Sequence, residues 1–287
     1  MLKRQKTNIN STYKLYLVGT PIGNYKDITY RAVETLASSD VIYCEDTRIT
    51  SRLLAHYNIK TKLKSYHLFN ENEVTSSILD DVKKGLIVSI VSDAGMPGIS
   101  DPGYLAVLKS IEEEINVEII PGVSASITAL VGSGIEPFRF TFIGFLNSNA
   151  SKREKELNLL KDNELPLILY EAPHRIEKTL ELLDKIMPER HIVLARELTK
   201  QYEEYLRGTP KEILEVVEEI KGEMVLIISA QSKEEATKDL NSLTIKEHYQ
   251  YYIDLGHDSK EAMKMVAKDK GVSKSEIYQK IKGKNKE

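Results

Sequence analysis

What most constrains this chain is a repeated change of hydrophobic period along its first half. Short β-branched runs at 13–18, 41–44, 86–91 and 117–120 alternate with stretches at 29–37, 49–57, 73–84 and 103–113 whose apolar residues recur three or four apart. An unbroken apolar run suits a strand covered on both faces, and the longer period suits the helices that cover it. The alternation predicts βαβ units closing a mostly parallel sheet.

A second block follows. Residues 124–134 read as a helix closed by glycine, 138–146 as an aromatic-rich strand and 147–155 as a polar, basic stretch. Strands are predicted at 167–170, 192–195, 203–207 and 224–229 and helices at 175–186 and 210–220, with the last strands antiparallel by their spacing. Residues 230–241 have the composition of a linker, and short helices fit 245–254, 260–268 and 274–281. At 287 residues the chain exceeds the usual single-domain size. The expected organisation is a loose leader at 1–13, an N-terminal α/β lobe at 14–135, a C-terminal α/β lobe at 136–230, and a linker with a helical extension at 231–287.

Composition narrows the setting. A single cysteine, Cys44, excludes an internal disulfide and a Cys-rich metal site and points to a reducing compartment. The six histidines show no ligand spacing, so no metal is expected. No stretch approaches the ~20 apolar residues of a bilayer span, and the basic start of the chain is not followed by the apolar run of a signal peptide. A soluble, cytoplasmic protein with no membrane partner is expected. A net charge of −3 argues against a broadly basic nucleic-acid coat but allows a local basic patch.

Three loops follow predicted strands, at the end of an open α/β sheet where ligands usually bind. Gly19-Thr20-Pro21-Ile22-Gly23-Asn24 reads equally well as a tight βα turn. The stretch from Ser92 to Gly103, with Asp93, Ala94, Gly95, Met96 and Ile99, carries three glycines and two prolines that expose main-chain groups in a fixed, irregular shape, and a ligand loop is favoured over a long connector. The third loop, 121–126, looks like a nucleophile elbow but lacks its second glycine, so Ser124 is read as a helix cap. Polar groups gather at other strand ends: Glu45-Asp46-Thr47-Arg48, Tyr66 to Glu71 with His67, Glu171 to Arg175 with His174, and Arg196 to Lys200. Each alone could be a cap or a surface ion pair, but four on one rim favour a polar active site.

Taken in order, Leu15 to Asn24, Glu45 to Arg48, Ser92 to Gly103, Tyr170 to Arg175 and Ala195 to Lys200 resemble the bacterial 16S rRNA (cytidine-2′-O)-methyltransferase family, within the tetrapyrrole methylase superfamily of class III methyltransferases. The resemblance spans 14–230 and implies two α/β lobes with S-adenosyl-L-methionine (AdoMet) between them, a homodimer, and 16S rRNA or the small ribosomal subunit as partner. It places Pro21, Asp93, Ala94, Gly95, Met96, Ile99, Ser124, Ala125, Glu171 and Leu198 at the cofactor. Met96 stands where the family usually has threonine, Leu68-Phe69 depart from its usual pattern after His67, and 147–153 is less basic than is usual.

The implied reaction is attack of a cytidine ribose 2′-hydroxyl on the AdoMet methyl group, with Glu45, Asp46 or Lys200 as candidate base. Arg48, His67, Arg139, Lys152, Arg153, His174, Arg175 and Arg196 are candidate RNA contacts. Residues 271–278 are similar to the turn and recognition-helix start of a helix-turn-helix, and a plain helical cap fits them equally well. Two rivals remain, a tetrapyrrole methyltransferase and a non-enzymatic nucleic-acid-binding regulator. The first typically opens with Gly-Pro-Gly-Asp, which this chain lacks.

Overall fold

The computed structural model describes residues 14–231, 240, 243–254 and 256–282. The expected leader and most of the expected linker lie outside the described residues.

Among the described residues ten strands form two five-stranded sheets. In the first, β1 (Lys14–Val18), β2 (Val41–Cys44), β3 (Lys62–Ser65), β4 (Val88–Val91) and β5 (Asn116–Ile120) run parallel in the order β3-β2-β4-β1-β5. β2 and β4 are buried at every position, as the double cover of a parallel sheet requires. The cover comes from α1 (Tyr30–Ser38), α2 (Thr47–His56), α3 (Glu71–Lys83) and α4 (Tyr104–Glu112). Thr29 and Asp46 cap the first two of these by accepting the backbone N–H groups of Ala32 and Arg48. Because β4 lies beside β1, the loops that leave these two strands emerge side by side.

In the second sheet, β6 (Thr141–Phe145), β7 (Leu167–Glu171), β8 (Ile192–Arg196), β9 (Glu204–Gly208) and β10 (Met224–Ile228) take the order β6-β7-β10-β8-β9. Only the β6–β7 pair is parallel, and the antiparallel pairing expected of the last strands is present. One face carries α6 (Ala150–Leu160), α7 (Ile176–Ile186) and α8 (Pro210–Leu214) over a core that includes Leu157, Leu169, Leu180, Leu194 and Leu226. The other face packs Ile168, Val193, Val225 and Ile227 against Ile22 and against Ala129 and Leu130 of α5 (Ala125–Ser133). Helix α5 is thus entered from the first sheet and laid on the second, which fixes the two sheets against one apolar seam.

Four features differ from the sequence expectation. β3 is not among the expected strands: Lys-Leu-Lys-Ser has one apolar residue and no fully buried one, because it is an edge strand. α6 occupies most of the stretch read only as polar and basic, and one of its two buried residues is Arg153, so its inward face carries no hydrophobic period. The helix expected at 210–220 ends at Leu214 and is followed by a separate 3-10 turn at Val217–Glu219. Ser124 holds the N-cap position of α5 without accepting a backbone hydrogen bond; its hydroxyl pairs with that of Ser126 at 2.9 Å.

Three helices, Ile245–Asp254, Ser259–Asp269 and Lys274–Lys282, pack around Tyr252, Met263, Val266 and Ile277. The last two are joined through Gly271 at φ 63°, a left-handed turn that suits glycine.

Candidate active site: a cavity between the two sheets

The loops after β1, β4 and β5 face the ends of β6, β7 and β10 and the loop after β8 across a cavity of about 390 Å³. That volume lies in the range of sites that enclose a small ligand. Its floor on the first-sheet side is held by loop-to-loop bonds. Thr20 and Gly95 exchange backbone hydrogen bonds at 2.9 and 3.1 Å, and the Thr20 hydroxyl donates to the Ser92 carbonyl. Gly19 and Gly122 approach so closely that a Cβ on Gly19 would sit 2.8 Å from the Gly122 backbone. The loop at 19–24 is therefore a buttress for the β4 loop as well as part of the wall.

Nine of the ten expected cofactor residues line this cavity: Asp93, Ala94, Gly95, Met96, Ile99, Ser124, Ala125, Glu171 and Leu198. Pro21 is buried outside it, and its neighbour Ile22 supplies the wall instead. Phe145 and Glu223 also line it and were not singled out in the sequence, and Asp101 and Tyr170 were held there only as members of longer motifs. Phe145 and Tyr170 form an aromatic contact with centroids 5.5 Å apart. Their signal was the pairing of two strand ends, which only the second sheet's order reveals.

The carboxylates around the cavity differ in how they are engaged. Glu171, 3% exposed, accepts the Thr179 hydroxyl at 2.6 Å and the Ala172 N–H at 2.9 Å, and pairs with Arg175 at 3.1 Å. Asp93 accepts the backbone N–H of Asp46 at 2.9 Å, and burial raises its pKa. Glu223 pairs with Lys200 at 2.9 Å. Burial likewise raises Glu45, with the nearby Asp93 charge adding to it. Asp101 is pushed up to about 7 by burial first, and then by the charges of Glu45 and Asp93.

The three candidate bases stand apart from the cavity wall. Asp46 is clamped by Arg48, with Oδ2 2.5 Å from the guanidinium, which holds its carboxyl down at about 2. Lys200 bridges Glu197 and Glu223 at 3.0 and 2.9 Å. Burial would lower its pKa, but its hydrogen bonds to Glu223 and Glu197 outweigh burial and raise it, which opposes a role as proton acceptor. Glu45 keeps a raised pKa but does not border the cavity.

The candidate RNA contacts divide in two. Arg48, Arg139, Lys152 and His174 are exposed. Arg153 is only 4% exposed and faces inward from α6. Arg175 donates to the Leu146 carbonyl at 2.8 Å, and Arg196 pairs with Glu204 at 2.5 Å. His67 is half-buried, with Nδ1 enclosed. Among the described residues no cluster of His, Cys, Asp or Glu could hold a metal ion, and no helix is long and apolar enough to cross a membrane.

Comparison with known proteins sets this geometry in a family. The family model for Tetrapyrrole (Corrin/Porphyrin) Methylases matches residues 14–214, and the chain belongs to that family, whose members are AdoMet-dependent methyltransferases. Within it the chain belongs with the proteins called ribosomal RNA small subunit methyltransferase I. It is 46% identical to that of Halalkalibacterium halodurans over 268 residues, covering 92% of this chain and 93% of the relative. The Bacillus subtilis protein of the same name is 44% identical, with 92% of each chain covered. The same fold recurs in diphthine synthase, at TM-score 0.61 and 16% identity over 76% of this chain and 90% of that one. It recurs also in the uroporphyrin-III C-methyltransferase of Thermus thermophilus complexed with S-adenosyl homocysteine, at TM-score 0.56 and 18% identity over 75% and 97%.

Proposed function

We propose that this protein methylates the ribose 2′-hydroxyl of a cytidine in 16S rRNA, with AdoMet held in the cavity between the sheets. The observation that carries the rRNA substrate is 46% identity, over nine-tenths of both chains, to a protein named for methylating small-subunit ribosomal RNA.

The residues present fit the cofactor. The cavity is walled mainly by apolar and main-chain groups, with Asp93 and Glu171 as fixed acceptors at opposite sides, one from each sheet. Such a site suits a nucleoside and an amino-acid moiety held by a few placed polar groups. Bound there, AdoMet supplies a methyl group already activated by its sulfonium charge, so alignment is the protein's main task. Gly95 and Gly98, at φ 79° and 88°, let the β4 loop follow the wall without side-chain strain. Arg139, Lys152 and His174 are exposed groups of the candidate RNA set placed to meet phosphate, and Arg48, also exposed, is held by Asp46. Arg153, Arg175 and Arg196 serve the fold in this reading.

We further read the chain as two lobes, 14–135 and 136–230, with an extension at 231–287, acting as a cytoplasmic homodimer. Light scattering on the purified protein measures the dimer directly. The decisive experiment for function is transfer of labelled methyl groups from AdoMet to small ribosomal subunits lacking their natural modification, with the product mapped by mass spectrometry. Label on a cytidine ribose is expected. Label on a base, or on a porphyrin substrate in place of RNA, would sink the proposal.

A further inference from the structure

The geometry points to Phe69 as a stacking platform for a nucleobase beside the target nucleotide, an inference that rests on the RNA substrate proposed above. Phe69 is 99% exposed, the most exposed large apolar residue among the described residues, and its neighbour Leu68 is 56% exposed. Singly exposed apolar residues are ordinary on a protein surface. Phe69 is set apart by where it stands and by how firmly its backbone is held.

β3 pairs with β2, and the turn that leaves it begins where the Tyr66 N–H donates to the Cys44 carbonyl at 2.8 Å, next to Glu45. His67 in this turn interacts electrostatically with Glu45. At the other end of the turn Glu71 accepts the N–H of Gly103, which closes the cavity-lining loop after β4. From the cavity outward the order is therefore the β4 loop, the 45–48 segment and the turn bearing Phe69. Two strand spacings, about 10 Å, separate β3 from β4. That suits a nucleotide flanking the target, while the target ribose itself enters the cavity.

The turn is held from within. The His67 N–H donates to Asn70 Oδ1 at 2.8 Å, the Asn70 N–H returns to the His67 carbonyl at 2.9 Å, and the Asn70 side chain donates to the Ser65 carbonyl at 3.4 Å. Glu71 also accepts the Tyr66 hydroxyl at 3.0 Å. None of these bonds uses Leu68 or Phe69, so a fixed backbone presents the ring. The phenyl group stands tilted against the His67 imidazole, with centroids 6.0 Å apart. A contact group placed before binding loses little freedom when its partner arrives.

The chemistry selects a base over a phosphate and over a protein. The neighbouring segment carries Glu45 and Asp46, and its cation, Arg48, is paired with Asp46, so this approach offers little to a phosphate. A base presents an uncharged face, and stacking on an aromatic ring holds it whatever its identity. Two apolar side chains are far too few for a stable contact with a second copy, which needs about 800 Å² from each partner. An unstacked base of single-stranded RNA is the occupant that fits.

Phe69→Ala, Phe69→Leu, Phe69→Tyr and Phe69→Trp test this. A fully exposed ring contributes little to the fold, so each variant should melt as the wild type does and keep its AdoMet Kd within about twofold. In single-turnover transfer to unmodified small subunits, the subunit concentration giving half the maximal rate should rise about 10- to 100-fold in Phe69→Ala and Phe69→Leu. It should return close to the wild-type value in Phe69→Tyr. The salt dependence of binding should keep its slope, because no phosphate contact is lost. The chain has no tryptophan, so Phe69→Trp carries a single fluorescent reporter, which a short single-stranded RNA should quench and inorganic polyphosphate should not. Recovery in Phe69→Leu, a slope reduced by about one unit, or equal quenching by polyphosphate overturns the stacking. A changed oligomeric state of Phe69→Ala in light scattering assigns the ring to a second copy and overturns it too. A wild type that methylates no RNA under any condition defeats the function, and the Phe69→Trp reporter then still decides the ring, since quenching needs no methyl transfer. An active wild type with an unchanged Phe69→Ala defeats only the role of Phe69.

Discussion

The Glu71 carboxylate, at the start of α3, accepts the backbone N–H of Gly103, which closes the loop after β4, at 3.0 Å. The same oxygen accepts the Tyr66 hydroxyl at 3.0 Å and lies 3.4 Å from the Leu105 N–H. Gly103, at φ 139°, enters α4 with no side chain to cap the helix, so the cap is supplied at long range by α3. A carboxylate at a helix N-terminus also meets the positive end of the helix dipole.

Replacing Glu71 with alanine strands those donors in a part-buried site. We expect a loss of about 1–3 kcal/mol of stability, read as a lowered denaturant midpoint. Amide exchange should speed up at Gly103 and Leu105 more than in β2 or β4. Glu71→Gln, which keeps an acceptor, should recover a good part of the loss. Uniform exchange changes across the molecule would contradict a local clamp.

The parallel sheet was legible in sequence because strands such as Val-Ile-Tyr-Cys and Val-Ser-Ile-Val are buried on both faces and helices with a clear apolar stripe lie between them. The loops that line the cavity were legible because glycine and proline leave a mark wherever a backbone must turn sharply. What stayed hidden had no such mark. β3 is polar because it is an edge, and α6 turns an arginine inward. The engagement of each carboxylate was also hidden, since Asp46 and Asp101 look alike in one dimension. Only their neighbours separate them: Arg48 lies two residues along and holds the first at about 2, whereas the second meets two anions and burial.

Gly132 of α5 packs against the hydroxyl end of Tyr205 in β9, where an added Cβ would lie 2.5 Å from Cζ. Arg207 donates to the Ser133 carbonyl at 3.0 Å and to that of Gly132 at 2.6 Å, closing the negative end of the same helix. Gly132→Ala should therefore destabilise by about 1–3 kcal/mol, although alanine is the better helix former. Combining it with Tyr205→Leu should cost less than the sum of the two single changes in a double-mutant cycle. Strict additivity would show that the ring is not what the methyl group meets.

Lys200 holds Glu197 and Glu223 together, and Glu223 borders the cavity. Since the ammonium stays protonated, Lys200→Met removes a strut and no base. AdoMet binding should weaken about fivefold, equivalent to about 1 kcal/mol. A Lys200→Met variant that binds AdoMet as the wild type does but transfers no methyl group would contradict the strut and restore the lysine to the chemistry.

His248 in the C-terminal helical cluster is fully buried and stacked on Tyr252 with centroids 5.4 Å apart. Its Nε2 lies 3.2 Å from Asp269 Oδ2, which also accepts the Tyr252 hydroxyl at 2.5 Å. Burial pushes the imidazole pKa below its ordinary 6.5, against the pull of Asp269. The folded cluster thus binds fewer protons than the unfolded one as pH falls through 6.5, and by linkage its stability drops over that range toward the lowered folded value. Above 6.5 the ring is neutral in both states and contributes no slope. Amide exchange at Tyr252 and Val266 should speed up between pH 7 and 5.5 beyond the intrinsic chemical change, while β2 amides should not. His248→Phe should flatten that dependence. An unchanged pH dependence in the variant would show that some other group in the cluster titrates.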